Sequence, residues 1–219
     1  MKPPYCELVR QMLEPVKGYR VGPENTLLRD ILPPQQFRSI LDLGAGNGAL
    51  GLLAGSTQRD DTTVTLCERQ PELATLCQSN AALLPNSVSV VQVDLREWTP
   101  SGRFDLIVAN PPWYLPGDGQ ASSNPLTHQC THALHGSVFD FCRRAAEWLD
   151  PGHASAFWLL FPSDRLAQAV SAIAQSGLQL NAMWLCYARH TGAPFRVWLR
   201  ASHVPSPCEI RECSILTAR

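Results

Sequence analysis

The sequence predicts an α/β chain of Rossmann-like form: a seven-stranded mixed sheet with helices on both faces and a C-terminal antiparallel hairpin. Three features point there. Apolar, β-rich runs alternate with helical segments from residue 38 onward, and the first run enters a glycine-punctuated turn. The last two runs are joined by only six residues, Arg189-His190-Thr191-Gly192-Ala193-Pro194, too few for a helical crossover.

Taken in order, strands are expected at 39–43, 63–68, 87–94, 104–110, 154–161, 178–187 and 195–202. Helices at 48–55, 71–83, 136–149 and 163–175 supply the crossovers. The third repeats apolar residues at helical spacing through Val138, Phe139, Phe141, Cys142, Ala145, Ala146 and Leu149. The 219 residues, 45% of them hydrophobic, suffice for one domain that buries its core without disulfides or metal. That domain is expected over 38–204, with 1–37 packed on it and 205–219 a polar tail that frays.

The eight cysteines show no paired metal spacing, and Cys67, Cys142 and Cys186 fall in apolar segments. Reduced, mostly buried thiols in a cytoplasm are expected. Near the N-terminus Lys2, Pro3, Pro4, Glu7, Arg10 and Glu14 interrupt the apolar residues, unlike a secretory signal, and no apolar run is long enough to span a bilayer. A monomer is expected. With a net charge of −1, a nucleic-acid partner would have to meet a local basic surface.

Ile40-Leu41-Asp42-Leu43-Gly44-Ala45-Gly46-Asn47-Gly48 reads as a buried strand running into a tight turn and then a helix. The dinucleotide fingerprint needs a third glycine one residue later, where Ala49 stands, so the spacing departs from a pyrophosphate site. Asp42 would disfavour a phosphate and suits the ammonium of a methionine moiety. Glu68 closes the second strand, where an acceptor can hold both ribose hydroxyls, and Asp94 closes the third, where it can accept from an adenine amino group. Acids at three successive carboxyl ends, with five parallel strands and a terminal hairpin, distinguish the class I methyltransferase variant of the doubly wound fold. The expected cofactor is S-adenosyl-L-methionine. Its candidate residues are Asp42, Gly44, Ala45, Gly46, Asn47, Gly48, Glu68, Arg69, Asp94, Leu95 and Asn110.

Phe104-Asp105-Leu106-Ile107-Val108-Ala109-Asn110-Pro111-Pro112-Trp113 carries a fourth buried strand into two prolines and an aromatic. An exocyclic amine is a poor nucleophile because its lone pair is delocalised into the ring. The Asn110 side-chain oxygen and the Pro111 carbonyl can each accept one of its N–H bonds, which aims the lone pair at a sulfonium methyl. No general base is needed beforehand, since the methylated amine loses its proton to water. Pro112 fixes its own φ, and each proline biases the residue before it toward an extended backbone, so the acceptors are preset. Trp113 would stack on the base, which is worth about 1–3 kcal/mol per base. Asn110, Pro111, Pro112 and Trp113 are the candidate catalytic residues.

From about residue 17 to 200 the chain resembles bacterial tRNA adenine-N6 methyltransferases that act beside the anticodon of a valine tRNA. The turn from Asp42 to Gly48, Glu68, Asp94 and the motif from Asn110 to Trp113 carry the general likeness. Lys17-Gly18-Tyr19-Arg20 followed by Leu27-Leu28 carries the particular one. The resemblance implies methylation of the N6 amino group of an unpaired adenine in tRNA. Asn25, Trp113 and His153 stand where the family usually has aspartate, tyrosine or phenylalanine, and glycine, and Ala133-Leu134-His135-Gly136 replaces a charged stretch.

In the final strand Arg196, Trp198 and Arg200 alternate against Phe195, Val197 and Leu199, a basic and aromatic face suited to RNA. Lys17, Tyr19, Arg20, Trp113, Arg189, Arg196 and Arg200 are therefore the candidate substrate-binding residues. The other view of these arginines is that they pair with local acids. His128, Cys130, His132 and His135 crowd the stretch after the motif, but histidines in a polar substrate loop need no metal and none is expected. The Pro-, Ser- and Gly-rich stretch at 115–125 reads as a long functional loop. Three competing functions remain open: a protein glutamine N5-methyltransferase acting on a release factor, a ribosomal-RNA guanine-N2 methyltransferase, and a donor-binding protein without catalysis.

Overall fold

The computed structural model describes residues 5–15, 21–34, 36–113, 136–152, 154–188 and 192–214. Its strands are β1 (Ser39–Leu43), β2 (Thr63–Glu68), β3 (Ser87–Gln92), β4 (Leu106–Ala109), β5 (Ala156–Pro162), β6 (Gln179–Tyr187), β7 (Arg196–Ser202) and β8 (Glu209–Ser214). They form one sheet in the order β3-β2-β1-β4-β5-β7-β6-β8. The first five run parallel, and β7 lies antiparallel between β5 and β6. This is the class I methyltransferase arrangement that the alternating pattern and the short last connection predict.

The strand count needs correction, from seven to eight. Residues 209–214, expected to fray in a polar tail, instead pair in parallel with β6 from Ala182↔Glu209 to Tyr187↔Ser214. The sequence hides this strand for a physical reason. An edge strand can be held by its ladder alone, and Glu209, Ile210, Arg211 and Glu212 are all exposed, so no apolar alternation marks it.

The helices are α1 (Tyr5–Gln11), α2 (Pro23–Thr26), α3 (Leu28–Ile31), α4 (Ala49–Thr57), α5 (Pro71–Ala81), α6 (Val138–Trp148) and α7 (Leu166–Gln175). Alternation along the strands fills two cores. Ile40 and Trp158 point to the face covered by Leu50, Leu52 and Leu53 of α4, where Leu8, Leu27 and Leu28 also pack. Leu41 and Phe157 point to the opposite face, against Phe141, Cys142 and Ala145 of α6 and Ala172 and Ile173 of α7. Fully burying a leucine contributes about 1.5–3 kcal/mol, so those three N-terminal leucines hold the segment before β1 on the sheet. The start of α6 is set locally: Ser137 N donates to the Asp140 carboxylate at 2.9 Å, the return half of a capping box.

Among the described cysteines all are free thiols, with Cys67, Cys77, Cys142 and Cys186 buried. No described helix is long and apolar enough to cross a membrane.

Candidate functional site

The order of the strands reverses between β1 and β4, and a cleft opens there beyond their carboxyl ends, as it does in open α/β sheets generally. The cleft is lined by the turn after β1, by Glu68, Arg69 and Gln70, by Asp94 and Leu95, and by Asn110 to Trp113. The residues expected to bind a donor, except Gly48, which packs against Leu66 and Cys77, therefore share one space with those expected to hold an acceptor amine.

The turn takes its shape from backbone that only glycine adopts easily. Gly44 has φ +68, and an added Cβ would lie 2.9 Å from the Phe141 ring, so its absence lets α6 approach the turn. Gly46 has φ +61 and meets nothing within 4 Å at its Cβ position, so a side chain there would enter the cleft. The backbone N–H groups of Gly44 and Ala45 donate to the Cys67 carbonyl, which ties the turn to β2.

Glu68, at the end of β2, is 5% exposed. Its carboxylate accepts from Gly46 N at 2.9 Å and from Gln70 N at 2.7 Å, holding the turn and the entry to α5 at once. Burial raises its pKa, opposed by these backbone N–H bonds. Asn47 also lines the cleft, but its side-chain amide donates to the Leu13 carbonyl at 3.0 Å. Asn80 completes that tether, accepting from Leu13 N at 2.7 Å and donating to the Leu13 and Asn47 carbonyls. The N-terminal segment is thus pinned to the turn after β1 by polar contacts as well as by packing.

Asp42 is almost wholly buried and accepts from Gly51 N at 2.7 Å, stapling the end of β1 to α4. Burial pushes its carboxyl up to about 7; the Gly51 bond lowers it, and the nearby Glu68 charge raises it further. The folded value lies above the ordinary 3.8, so the folded chain keeps this proton at pH values where the unfolded chain has released it. Its contribution to stability is present below about 4 and is lost as pH rises through about 7. Asp42→Asn can still accept from Gly51 and should remove this dependence. Thermal melts are expected to show the variant above wild type near pH 8 and close to it near pH 4. A difference independent of pH would contradict the assignment.

Asp94 departs from its expected place. β3 ends at Gln92, and Asp94 sits beyond it in a turn where its carboxylate takes Arg96 N at 2.9 Å and the Arg96 guanidinium at 2.6 and 2.9 Å. Arg96 holds its pKa below the usual carboxylate range. The Asp94 carbonyl also accepts from Glu97 and Trp98, so this acid organises the turn that brings Leu95 to the cleft.

In the motif after β4, the indole N–H of Trp113 donates to Asn110 Oδ1 at 3.1 Å. The Arg196 guanidinium stacks 4.1 Å from the Trp113 ring centroid. Arg196 also lies 4.0 Å from the buried carboxylate of Glu24. The expected open platform on β7 is not formed. Trp198 is fully buried, because β7 is an inner strand whose Trp198 face is covered by the N-terminal segment, and its indole donates to the Glu24 carbonyl at 3.0 Å. Arg196 lies at the carboxyl edge of β5, paired in register with Pro162. Arg200, paired with Trp158, is four residues down the strand, about 13 Å away at the usual rise, and does not line the cleft. Lys17, Tyr19, Arg20, Arg189 and His153, the histidine-rich stretch and the loop at 115–125 lie outside the described residues.

Asn25 and Phe141 line the cleft without having been singled out as site residues. Asn25 is 2% exposed, and its Oδ1 has no hydrogen-bond partner among the described residues. Its one signal was the departure from aspartate. Phe141 carried no signal beyond helical periodicity.

Fold and cleft together define a methyltransferase. The chain belongs to the methyltransferase small domain family, whose model matches residues 20–150. It is 31% identical over 205 residues to a tRNA1(Val) (adenine(37)-N6)-methyltransferase of Shewanella loihica, covering 89% of this chain and 81% of that one. It is 28% identical over 185 residues to the same-named enzyme of Glaesserella parasuis, covering 84% and 76%. Among solved structures, a putative RNA methyltransferase of Pyrococcus horikoshii matches with TM-score 0.63 at 15% identity, covering 92% of this chain and 98% of that one. A methyltransferase of Pyrococcus furiosus matches with TM-score 0.63 at 17% identity, covering 89% of each. At such identities the structural likeness shows the fold.

Proposed function

We propose that this chain transfers the methyl group of S-adenosylmethionine to the N6 amino group of an unpaired adenine in tRNA. The observation that carries this is the opening of the donor turn and the Asn110-Pro111-Pro112-Trp113 motif into one cleft. The residues present fit the donor. Gly46 leaves room where a Cβ would intrude, Asn25 lines the same space, and Glu68 stands where ribose hydroxyls can be accepted. Bound there, the donor supplies a sulfonium methyl.

The rest is the work of the protein. Asn110 Oδ1 and the Pro111 carbonyl take the two amino N–H bonds and turn the nitrogen lone pair toward the methyl. Trp113 offers a flat surface to the base. A loop base reaches this motif at modest cost, whereas a base inside a duplex cannot be surrounded. The relatives are named for the N6 position of adenine 37 in tRNA1(Val). The chain acts in the cytoplasm, where tRNA resides, and as a monomer.

Labelled donor incubated with unmodified tRNA, with its anticodon stem-loop alone and with a glutamine-containing release-factor peptide tests the proposal. Label is expected in tRNA, at adenine. Label in the peptide and in neither RNA would overturn it in favour of glutamine methylation.

A further inference from the structure

We infer that Arg196 is a positioning residue: anchored on the Phe195 carbonyl beside the Glu24 charge, it holds Trp113 so that the indole N–H fixes which end of the Asn110 amide faces the acceptor amine. This rests on the proposed function and concerns how that reaction is aligned. It also changes the expected role of Arg196, from a substrate-binding residue to a support for the catalytic motif.

An asparagine amide is nearly symmetric in shape but opposite in chemistry at its two ends. Turned one way it offers the acceptor that an amino group needs; turned the other it offers a donor that repels it. Prolines after Asn110 fix the backbone but leave this flip undecided. The indole N–H decides it, because a donor 3.1 Å away is compatible with Oδ1 and not with Nδ2. A carbonyl oxygen has two lone pairs, so one can take the indole while the other takes the substrate N–H.

Trp113 must in turn be held. The Arg196 guanidinium stacks over its ring at 4.1 Å, and the ring also packs against the core on the α6 side of the sheet. Arg196 is anchored by its own Nη1 donating to the Phe195 carbonyl at 3.0 Å, and its Nε, which makes no hydrogen bond among the described residues, lies 4.0 Å from the Glu24 carboxylate. Glu24 is itself fixed in α2, where its carbonyl accepts from the buried Trp198 indole. Its side chain is 8% exposed and that of Arg196 20%, which limits the solvent screening of this pair. The chain of contacts Glu24–Arg196–Trp113–Asn110 thus links the N-terminal segment, β7 and the motif after β4. Tyrosine or phenylalanine at position 113 would keep the stacking surface but lose the indole donor.

Two measurements test this. In the RNA-free protein, the indole ¹H–¹⁵N resonance of Trp113, assigned by its loss in Trp113→Phe, should shift in Arg196→Gln, as should the Asn110 side-chain amide; unchanged resonances would overturn the clamp whatever the substrate proves to be. With tRNA, Arg196→Gln and Trp113→Phe should each lower kcat roughly three- to tenfold with KM near wild type, and the double variant should lose little more than either alone. The slope of log affinity against log salt should be unchanged in Arg196→Gln, because no phosphate contact is removed. A raised KM with kcat intact and a slope flattened by about 0.7–0.9 would instead make Arg196 a phosphate ligand and overturn the inference. If wild type methylated no RNA, the proposed substrate would fail while the resonance measurement still decided the clamp.

Discussion

Asn110→Ala is expected to lower turnover by about 10²–10³-fold, the size of loss seen when one aligned electrostatic contact is removed from a transition state, about 2.7–4 kcal/mol. The amine then keeps the Pro111 carbonyl but loses the partner that turns its lone pair out of conjugation, and the Trp113 indole loses its acceptor as well. Turnover should fall far more than donor affinity, since the side chain addresses the accepting nitrogen although Asn110 also lines the donor cleft. Single-turnover rates with tRNA, paired with calorimetry of donor binding, separate the two effects. Turnover surviving within tenfold, about 1.4 kcal/mol, would refute the alignment.

Glu68→Ala is expected to weaken donor binding by about 1.5–3 kcal/mol, the usual worth of a hydrogen bond to a charged group. At about 1.4 kcal/mol per decade this is roughly 10- to 150-fold. The structure adds a second cause. The same carboxylate takes the backbone N–H groups of Gly46 and Gln70, so removing it releases the glycine turn and the entry to α5 together. Glu68→Gln isolates the distinction, because it preserves volume but can present an amide donor to one of those N–H groups. Calorimetry should find it weakened nearly as much as the alanine variant. Unaltered donor affinity in both would show that Glu68 serves the fold alone.

The legible parts of this molecule are those that neighbouring residues decide. The ends of β1 and β2 match the sequence expectation residue for residue, because a glycine turn and a terminal acid punctuate apolar runs. β3 stops two residues earlier than expected, since its last apolar positions do not reveal that Asp94 turns back to bind Arg96. The Asn110-to-Trp113 motif is legible because proline restricts its own backbone and that of the residue before it wherever it occurs.

Partner choice was not legible. Arg196 and Arg200 read alike on one strand face, yet register sets one beside Trp113 and leaves the other away from the cleft. Trp198 read as a surface platform until the N-terminal segment covered it. Composition and spacing specify what a side chain can donate, accept or bury, and the local backbone it tolerates. Only the assembled sheet decides which groups meet, because contacts such as Trp198 with Glu24 join residues 174 positions apart, and their pairing depends on the path of the chain between them.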